Sequence, residues 1–188
     1  MRLVRHERTA RAIALIRRGM RTSIVGHISG LAPAIVRELY EEVHGRRPTA
    51  GQLPTSSGIL SSPRRQASAS LFAALYRAIG GEAIARTVVV DALLKAHTLY
   101  LQQLGRLPGE PLGVPIDINQ AWVIARDLTI GEARFRDCKR CGIRYLAGDF
   151  SRTALGCPVC VLKGSYRKVV GNNTCTTEQS RQVRDWGA

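Results

Sequence analysis

The chain has 188 residues, 45% of them hydrophobic, and is long enough to bury one substantial core. Lys and Arg total 28 against 14 Asp and Glu, giving a formal charge of +14 and a pI near 10.6. So basic a chain implies a polyanionic partner, most often nucleic acid. It has no apolar run of about 18 residues and no secretory signal pattern, which argues against a membrane or exported protein. We therefore expect a cytoplasmic protein with reduced cysteines.

The positive charge is concentrated in two parts of the chain. Residues 1–50 and residues 131–168 each have a balance of +6, whereas residues 51–130 have only +2. Nearly all the positive residues are Arg, whose planar guanidinium suits phosphate and guanine edges. We expect the two basic parts to contact a polyanion and the middle to form a core or a protein–protein surface. The alternative is a solvated basic surface without a partner.

The first thirty residues predict two helices that end in a glycine turn. Apolar residues at helical spacing indicate a helix over 8–19. A short second helix is predicted over 22–29, with Thr22 or Ser23 as its N-cap. Gly30 then supplies a turn.

A third helix is predicted from Pro33 to Gly45, two residue types that suit the start and the end of a helix. Helix, glycine turn and helix outline a helix-turn-helix-like corner over residues 8–45, with Gly26 where the helices cross. The alternative is an ordinary helical corner inside an all-helical core. The candidate DNA contacts in this part are arginines at and after the third helix: Arg37, Arg46 and Arg47.

The middle of the chain predicts further helices. Residues 46–66 are rich in Gly, Pro and Ser and predict an irregular loop. Helices over 67–79, 82–104 and 117–128 then form a core or partner-binding region over 67–130. The helix over 82–104 is predicted to be the longest, and it is apolar on most sides. Such a helix is buried either in the core or against a partner.

Four cysteines have the spacing of a metal site. Cys138 and Cys141 form one C-x2-C pair, and Cys157 and Cys160 form a second pair after fifteen residues. Each pair is a tight turn that directs two sulfurs at one point, so four thiolates can hold Zn2+ in a closed tetrahedron. Such a site has no open position for a substrate, so the metal would stabilise the fold. An iron site with the same ligands stays open, whereas a disulfide or a redox C-x-x-C is disfavoured.

A small metal-binding module is predicted over residues 131–168. Residues 169–188, with Cys175 as a spare thiol, are polar and are expected to be a disordered tail. The sequence has no P-loop, G-x-G-x-x-G, G-x-S-x-G or H-E-x-x-H motif, so we expect no enzymatic activity. The candidate DNA contacts in this module are its basic side chains: Arg140, Arg144, Arg152, Lys163, Arg167 and Lys168.

The order of several short segments resembles a known family. The segments are Leu39-Tyr40-x-Glu42-x-x-Gly45-x-x-Pro48, Gly51-x-Leu53-Pro54, Leu99-Tyr100-Leu101 and the two cysteine pairs. Together they cover about residues 8–162 and resemble the flagellar transcriptional activator FlhC family, the C subunits of the flagellar master regulator. The Ser-rich segment from Thr55 to Ala69 departs from the family, whose members are richer in aromatic residues there.

The resemblance implies a mainly α fold, with a helical domain over 1–130 and a small C-terminal four-cysteine zinc module. It implies one structural Zn2+ and a heterohexamer of four FlhD and two FlhC subunits that binds promoter DNA, recruits RNA polymerase and switches on flagellar operons. The implied zinc ligands are the four paired cysteines: Cys138, Cys141, Cys157 and Cys160. From the residues alone, an RNA-binding zinc-ribbon protein is the alternative, although 5% aromatic content offers few base-stacking side chains. A third interpretation of the cysteine spacing is a rubredoxin-like electron carrier.

Overall fold

The computed structural model describes residues 2–49, 51–105, 115–148 and 156–164. The fold is mainly α with one small sheet, which confirms the predicted class. Among the described residues, no helix is both long and apolar enough to cross a membrane. The helices and strands are α1 (Arg2–Arg17), α2 (Thr22–Ser29), α3 (Pro33–His44), α4 (Ser56–Ile59), α5 (Pro63–Gly80), α6 (Val90–Leu104), α7 (Ile118–Ile130), β1 (Ala133–Asp137) and β2 (Arg144–Gly148). Residues 158–164 are also helical.

α1, α2 and α3 pack together as a three-helix unit whose bounds follow local sequence signals. α2 ends at Gly30 and α3 at Gly45, both in the left-handed conformation with φ of 66° and 65°. Their N–H groups donate to the carbonyl oxygens of Gly26 and Glu41. Pro33 occupies the first turn of α3, where its missing N–H costs nothing. The bounds predicted for α2 and α3 are confirmed.

Two details of this unit differ from the prediction. α1 starts about two turns earlier than expected. The N-cap residue of α2 is Arg21, whose side chain makes no capping hydrogen bond. The prediction of Thr22 or Ser23 as the N-cap is therefore wrong. The Arg21 guanidinium donates instead to the carbonyl oxygens of Gly51 and Gln52, each at 2.8 Å. These bonds attach the loop after α3 to the start of α2.

The prediction of a single long helix over 82–104 is wrong. A 3-10 turn over Gly81–Ala85 and a non-helical segment precede α6. Val89 is extended, and its N–H donates to the buried Tyr76 hydroxyl at 3.0 Å. The β-branched run before Asp91 also disfavours helix. With 18 residues, α5 is the longest of the described helices.

The irregular loop predicted over 46–66 is wrong in part, because it contains α4 and the start of α5. Ser62 caps α5 by accepting a hydrogen bond from its first turn at 3.3 Å. The Ser56 hydroxyl of α4 donates to the carboxylate of Asp127, a buried residue of α7. A tertiary contact thus stabilises a four-residue helix that its own sequence does not predict.

The two strands form an antiparallel hairpin that packs on α5. Leu146 of β2 has no exposed surface and belongs to the same core cluster as the helices. Its carbonyl oxygen accepts from Gln66 Nε2 at 3.0 Å, and its N–H donates to Ser70 Oγ at 2.9 Å. The division into parts over 1–130 and 131–168 stays a prediction, and these contacts show that the two parts share packing.

The first prediction concerns this shared packing. Leu146→Ala should lower the free energy of unfolding by about 2–5 kcal/mol, because it leaves a cavity in a fully buried site. Far-UV circular dichroism should report the loss as a lower melting midpoint of the helices. Ile143→Ala, in the same hairpin but 40% exposed, is the control and should cost about 0.5 kcal/mol or less. An unchanged helical midpoint for Leu146→Ala would mean that the hairpin folds independently.

Candidate metal centre and nucleic-acid interface

The first cysteine pair lies in the loop that joins β1 to β2. Asp137 and Arg144 are the last paired residues before this loop. The N–H of Cys138 donates to Ile143 O at 3.0 Å, and the N–H of Gly142 donates to Cys138 O at 2.8 Å. Gly142 has φ of 72°, a conformation that strains other residues. The glycine after the second cysteine therefore allows the tight turn that aims both sulfurs the same way.

The second cysteine pair starts the helix over residues 158–164. The carbonyl oxygen of Cys157 accepts from the N–H of Val161 at 3.1 Å. Pro158 directly follows Cys157 and occupies the start of this helix, where proline is favoured. Cys157 is buried, with 6% of its surface exposed. The second pair is thus held by a helical turn, and the first by a hairpin loop.

The four sulfurs lie where one ion can bind them all. Every Sγ is within 4.8 Å of the other three. Sγ of Cys138 is 3.8 Å from that of Cys160, and Sγ of Cys141 is 3.6 Å from that of Cys157. A tetrahedral site with metal–sulfur bonds of about 2.3 Å has sulfur–sulfur edges of about 3.8 Å. The four cysteines carry free thiols. The arrangement fits a single tetrahedral metal ion.

The electrostatics of the cluster also favour a cation. Backbone N–H groups of Cys141 and Arg140 point at the Cys138 sulfur and lower the pKa of that thiol to about 6. Burial raises the pKa of Cys157, and contact with the Cys141 sulfur raises the pKa of Cys160 to about 12. One thiolate thus lies beside thiols that keep their protons until a cation balances the charge. A cluster of four sulfurs that requires a positive charge to lose its protons is suited to a thiophilic cation such as Zn2+.

Arg37 is exposed on the outer side of α3, as predicted, and its Nε donates to Pro33 O in the preceding turn at 3.2 Å. Gly26 lies where α2 approaches the chain leading into α3, since a Cβ there would be 3.7 Å from Leu31 O. A groove of about 520 Å³ runs between the two helices. It is lined by Thr22, Ser23, Gly26, His27, Leu31, Pro33 and Arg37.

α3 exposes side chains of both charges. Arg37 is followed directly by the exposed Glu38, and the C-terminal half exposes the carboxylates of Glu41 and Glu42. Arg46 is exposed after the helix, and Arg47 Nε lies 3.8 Å from Glu41 Oε1. The attraction that α3 offers a phosphate is therefore that of Arg37 alone, beside three exposed carboxylates.

The candidate DNA contacts in residues 131–168 differ in what surrounds them. Arg144 forms two hydrogen bonds to the Asp137 carboxylate, at 2.8 and 3.3 Å, and they lower the pKa of Asp137. Arg140 and Lys163 are exposed. The predictions for Arg152, Arg167, Lys168 and the tail over 169–188 lie outside the described residues.

The sequence did not identify Arg8 as a neighbour of the α2–α3 corner. Its guanidinium lies beside the turn between α2 and α3, with Nη1 3.9 Å from the Cβ position of Gly30. The available signal is spacing, because Arg8 is four residues before the buried Ala12 and shares its helix face. The corner therefore exposes arginines from two helices.

A second prediction tests the four-sulfur cluster. Cys157→Ser should reduce the bound metal from one ion per chain to well below one, because a hydroxyl is a poor ligand for a thiophilic ion. Elemental analysis of the purified protein measures this. Cys175→Ser is the matched control, since Cys175 belongs to neither C-x2-C pair, and it should keep one ion. Full occupancy in Cys157→Ser would remove Cys157 from the ligand set.

A third prediction follows from the raised pKa values of Cys157 and Cys160. Both thiols are protonated at pH 7, so metal binding must displace their protons. Adding Zn2+ to the metal-free chain at pH 7 should release about two protons or more per ion, measured with a pH indicator. Metal affinity should fall as the pH is lowered, because protons compete for the same sulfurs. Binding without proton release would contradict thiolate ligation by these two residues.

Comparison with known proteins agrees with the resemblance noted from the sequence. A family model described as "Flagellar transcriptional activator (FlhC)" matches residues 3–169. A "Flagellar transcriptional regulator FlhC" from Paraburkholderia phymatum is 32% identical over 136 residues, which are 72% of this chain and 60% of that protein.

A protein of the same name from Paraburkholderia atlantica is 28% identical over 136 residues, 72% of this chain and 61% of that protein. Another from Verminephrobacter eiseniae is 27% identical over 153 residues, 80% of this chain and 79% of that protein. The chain thus spans about three fifths of the length of the two Paraburkholderia relatives. With a family match over residues 3–169, the chain belongs to the FlhC family of flagellar transcriptional regulators.

Proposed function

We propose that this chain is the DNA-binding subunit of a cytoplasmic activator complex that switches on flagellar operons and has no catalytic activity. Family membership supports the role in flagellar transcription. The observation that carries DNA binding is the α2–α3 corner, whose open groove is bordered by the exposed Arg37 in a chain of charge +14. In helix-turn-helix proteins, the N-terminal residues of the second helix contact base edges in the major groove.

The charges of the corner define how it would approach DNA. Arg8 and Arg37 lie near the turn and the start of α3, and Arg46 is exposed beyond the end of this helix. We assign Arg8 and Arg46 to phosphates and Arg37 to a base edge. The carboxylates of Glu41 and Glu42 keep the C-terminal half of α3 away from the backbone.

We further propose that the metal is Zn2+ in a structural role. Cys138 and Cys141 on the hairpin loop and Cys157 and Cys160 on the helix over 158–164 would hold it. The ion ties these two pieces of chain together and balances the thiolate charge, and four sulfur ligands leave no position for a substrate. Losing the metal should therefore unfold this part locally.

The complex is proposed to contain four FlhD and two FlhC subunits and to recruit RNA polymerase. A protein–protein surface is available beside α6, where Leu99 of this helix and Ile79 of α5 are 39% and 38% exposed. Both side chains border a groove of about 680 Å³. Exposed apolar side chains beside such a groove support burial against a partner.

Binding to a flagellar promoter duplex tests the proposal directly. Anisotropy should be measured for the promoter duplex, a scrambled duplex and a structured RNA, over a salt series and with or without FlhD. A promoter preference that depends on FlhD, with affinity falling steeply as salt rises, is the expected result. A preference for the RNA would favour the RNA-binding alternative instead.

A fourth prediction concerns Arg37. Arg37→Ala should cost about 1–3 kcal/mol of promoter binding and reduce the preference over the scrambled duplex, because a base contact is lost. Arg86→Ala removes the same charge from an exposed residue between the 3-10 turn and α6, and it should change neither quantity. An unaltered preference in Arg37→Ala would leave Arg37 as a phosphate contact or no contact.

A further inference from the structure

Two close sulfur–sulfur contacts in the cysteine cluster join separate pieces of the chain. Sγ of Cys141, on the hairpin loop, is 3.6 Å from Sγ of Cys157, which directly precedes the helix over 158–164. Sγ of Cys138, at the start of the same loop, is 3.8 Å from Sγ of Cys160, which lies in that helix. A disulfide bond is about 2.05 Å long, so a movement of less than about 2 Å would bring either pair of sulfurs to bonding distance.

The two residues of the Cys141–Cys157 contact differ in exposure. Cys141 is exposed, whereas Cys157 is buried. Arg140 and Ile143 on the same loop are exposed too, and a Cβ on Gly142 would meet nothing within 4 Å. A small solute can therefore reach the loop at Cys141, while the protein shields Cys157.

The surroundings of Cys141 favour reaction with an oxidant. The thiolate is the form of cysteine that oxidants attack, and a bound cation keeps the cysteines of a metal site in that form at neutral pH. Lys139 and Arg140, between the first two cysteines, are both exposed. Positive charge beside an accessible sulfur is typical of reactive cysteines, and a second sulfur within reach lets the oxidised one form a disulfide.

We propose that the cysteine cluster is a redox-sensitive metal site, at which a hydroperoxide converts the metal-binding thiolates into disulfides between the hairpin loop and the helix over 158–164. Cys141 pairs with Cys157, and Cys138 pairs with Cys160. The metal ion then leaves, because a disulfide sulfur has no thiolate charge with which to hold it. The inference rests on the proposed structural metal and adds a chemical response to it.

The reaction consumes one peroxide for each disulfide. The Cys141 thiolate attacks a peroxide oxygen and breaks the O–O bond, which gives a sulfenic acid on Cys141 and hydroxide. The Cys157 thiolate then attacks the Cys141 sulfur, forms the S–S bond and expels a second hydroxide. Two electrons thus pass from the two sulfurs to the peroxide, and two protons from solvent convert both hydroxides to water. A second peroxide oxidises Cys138 and Cys160 in the same way.

The direction of the disulfides decides what happens to the fold. Disulfides between the two pairs keep the hairpin loop and the helix over 158–164 joined after the ion has left. Disulfides inside each C-x2-C pair would instead remove the link between these two pieces of chain. A thiol reductant cleaves either kind, so the oxidised state is reversible.

The test treats the full chain, loaded with Zn2+, with hydrogen peroxide. Released Zn2+ is measured with a chromogenic chelator, and disulfides are mapped by mass spectrometry of tryptic peptides after free thiols have been alkylated. About one Zn2+ should be released for every two peroxide molecules consumed, since each disulfide takes one peroxide. Dithiothreitol followed by fresh Zn2+ should restore one ion per chain.

The peptide products distinguish the two pairings. Trypsin cuts after Lys139, between the first two cysteines, whereas no Lys or Arg separates the second two. Disulfides between the pairs therefore join three peptides into one product, whereas disulfides inside the pairs leave the peptide of the second pair separate. Fragmentation between Cys157 and Cys160 shows the partner of each, and we expect Cys157 to be linked to Cys141.

Cys175→Ser is the matched control, because Cys175 belongs to neither pair, and it should give the same release and the same linked product. Zn2+ that stays bound in a molar excess of peroxide overturns this inference alone. Disulfides formed inside the pairs, or release of the ion without any disulfide, also overturn it. If the untreated chain binds no Zn2+, the proposed structural metal fails as well.

Discussion

The burial of Leu146 against α5 is the constraint that links the metal-binding part to the helices. This side chain is fully buried, and its own backbone bonds to Gln66 and Ser70 of α5 fix the position of β2. A shift of β2 by one residue would turn every side chain of the strand to the other face. Leu146 therefore places Arg144 on its own face of the hairpin and Tyr145 on the opposite face. It also places the first cysteine pair, since that loop lies between the two strands.

Net charge alone overstates the surface that can contact DNA. Several arginines are used for structure, through a carbonyl, a carboxylate or an aromatic ring. These are Arg21 on Gly51 and Gln52, Arg77 on Phe135, Arg126 on Asp127 and Arg144 on Asp137. The exposed carboxylates of Glu38, Glu41 and Glu42 on α3 reduce the attractive area further. Net charge therefore cannot by itself locate the surface that contacts a polyanion.

The sequence predicts those parts of the fold that are encoded locally. Gly30, Pro33 and Gly45 mark the bounds of α2 and α3, and the cysteine spacing identifies a cluster whose sulfurs do come together. The break before α6 could not be read from periodicity, because it depends on a hydrogen bond from Val89 to Tyr76.

Contacts across the chain were also hidden from the sequence. The short helix α4 is bonded to Asp127, which is 71 residues away from Ser56. The pairing of Arg144 with Asp137 requires the hairpin register, which the spacing of charges does not contain.

Hydrogen–deuterium exchange of the metal-bound chain tests the central claim, that the buried Leu146 couples the hairpin to the helices. In Leu146→Ala, the backbone amides of β2 and of α5 should lose protection together, because the contacts between the two elements are weakened. A loss of protection confined to β2, with α5 unchanged, would contradict the coupling.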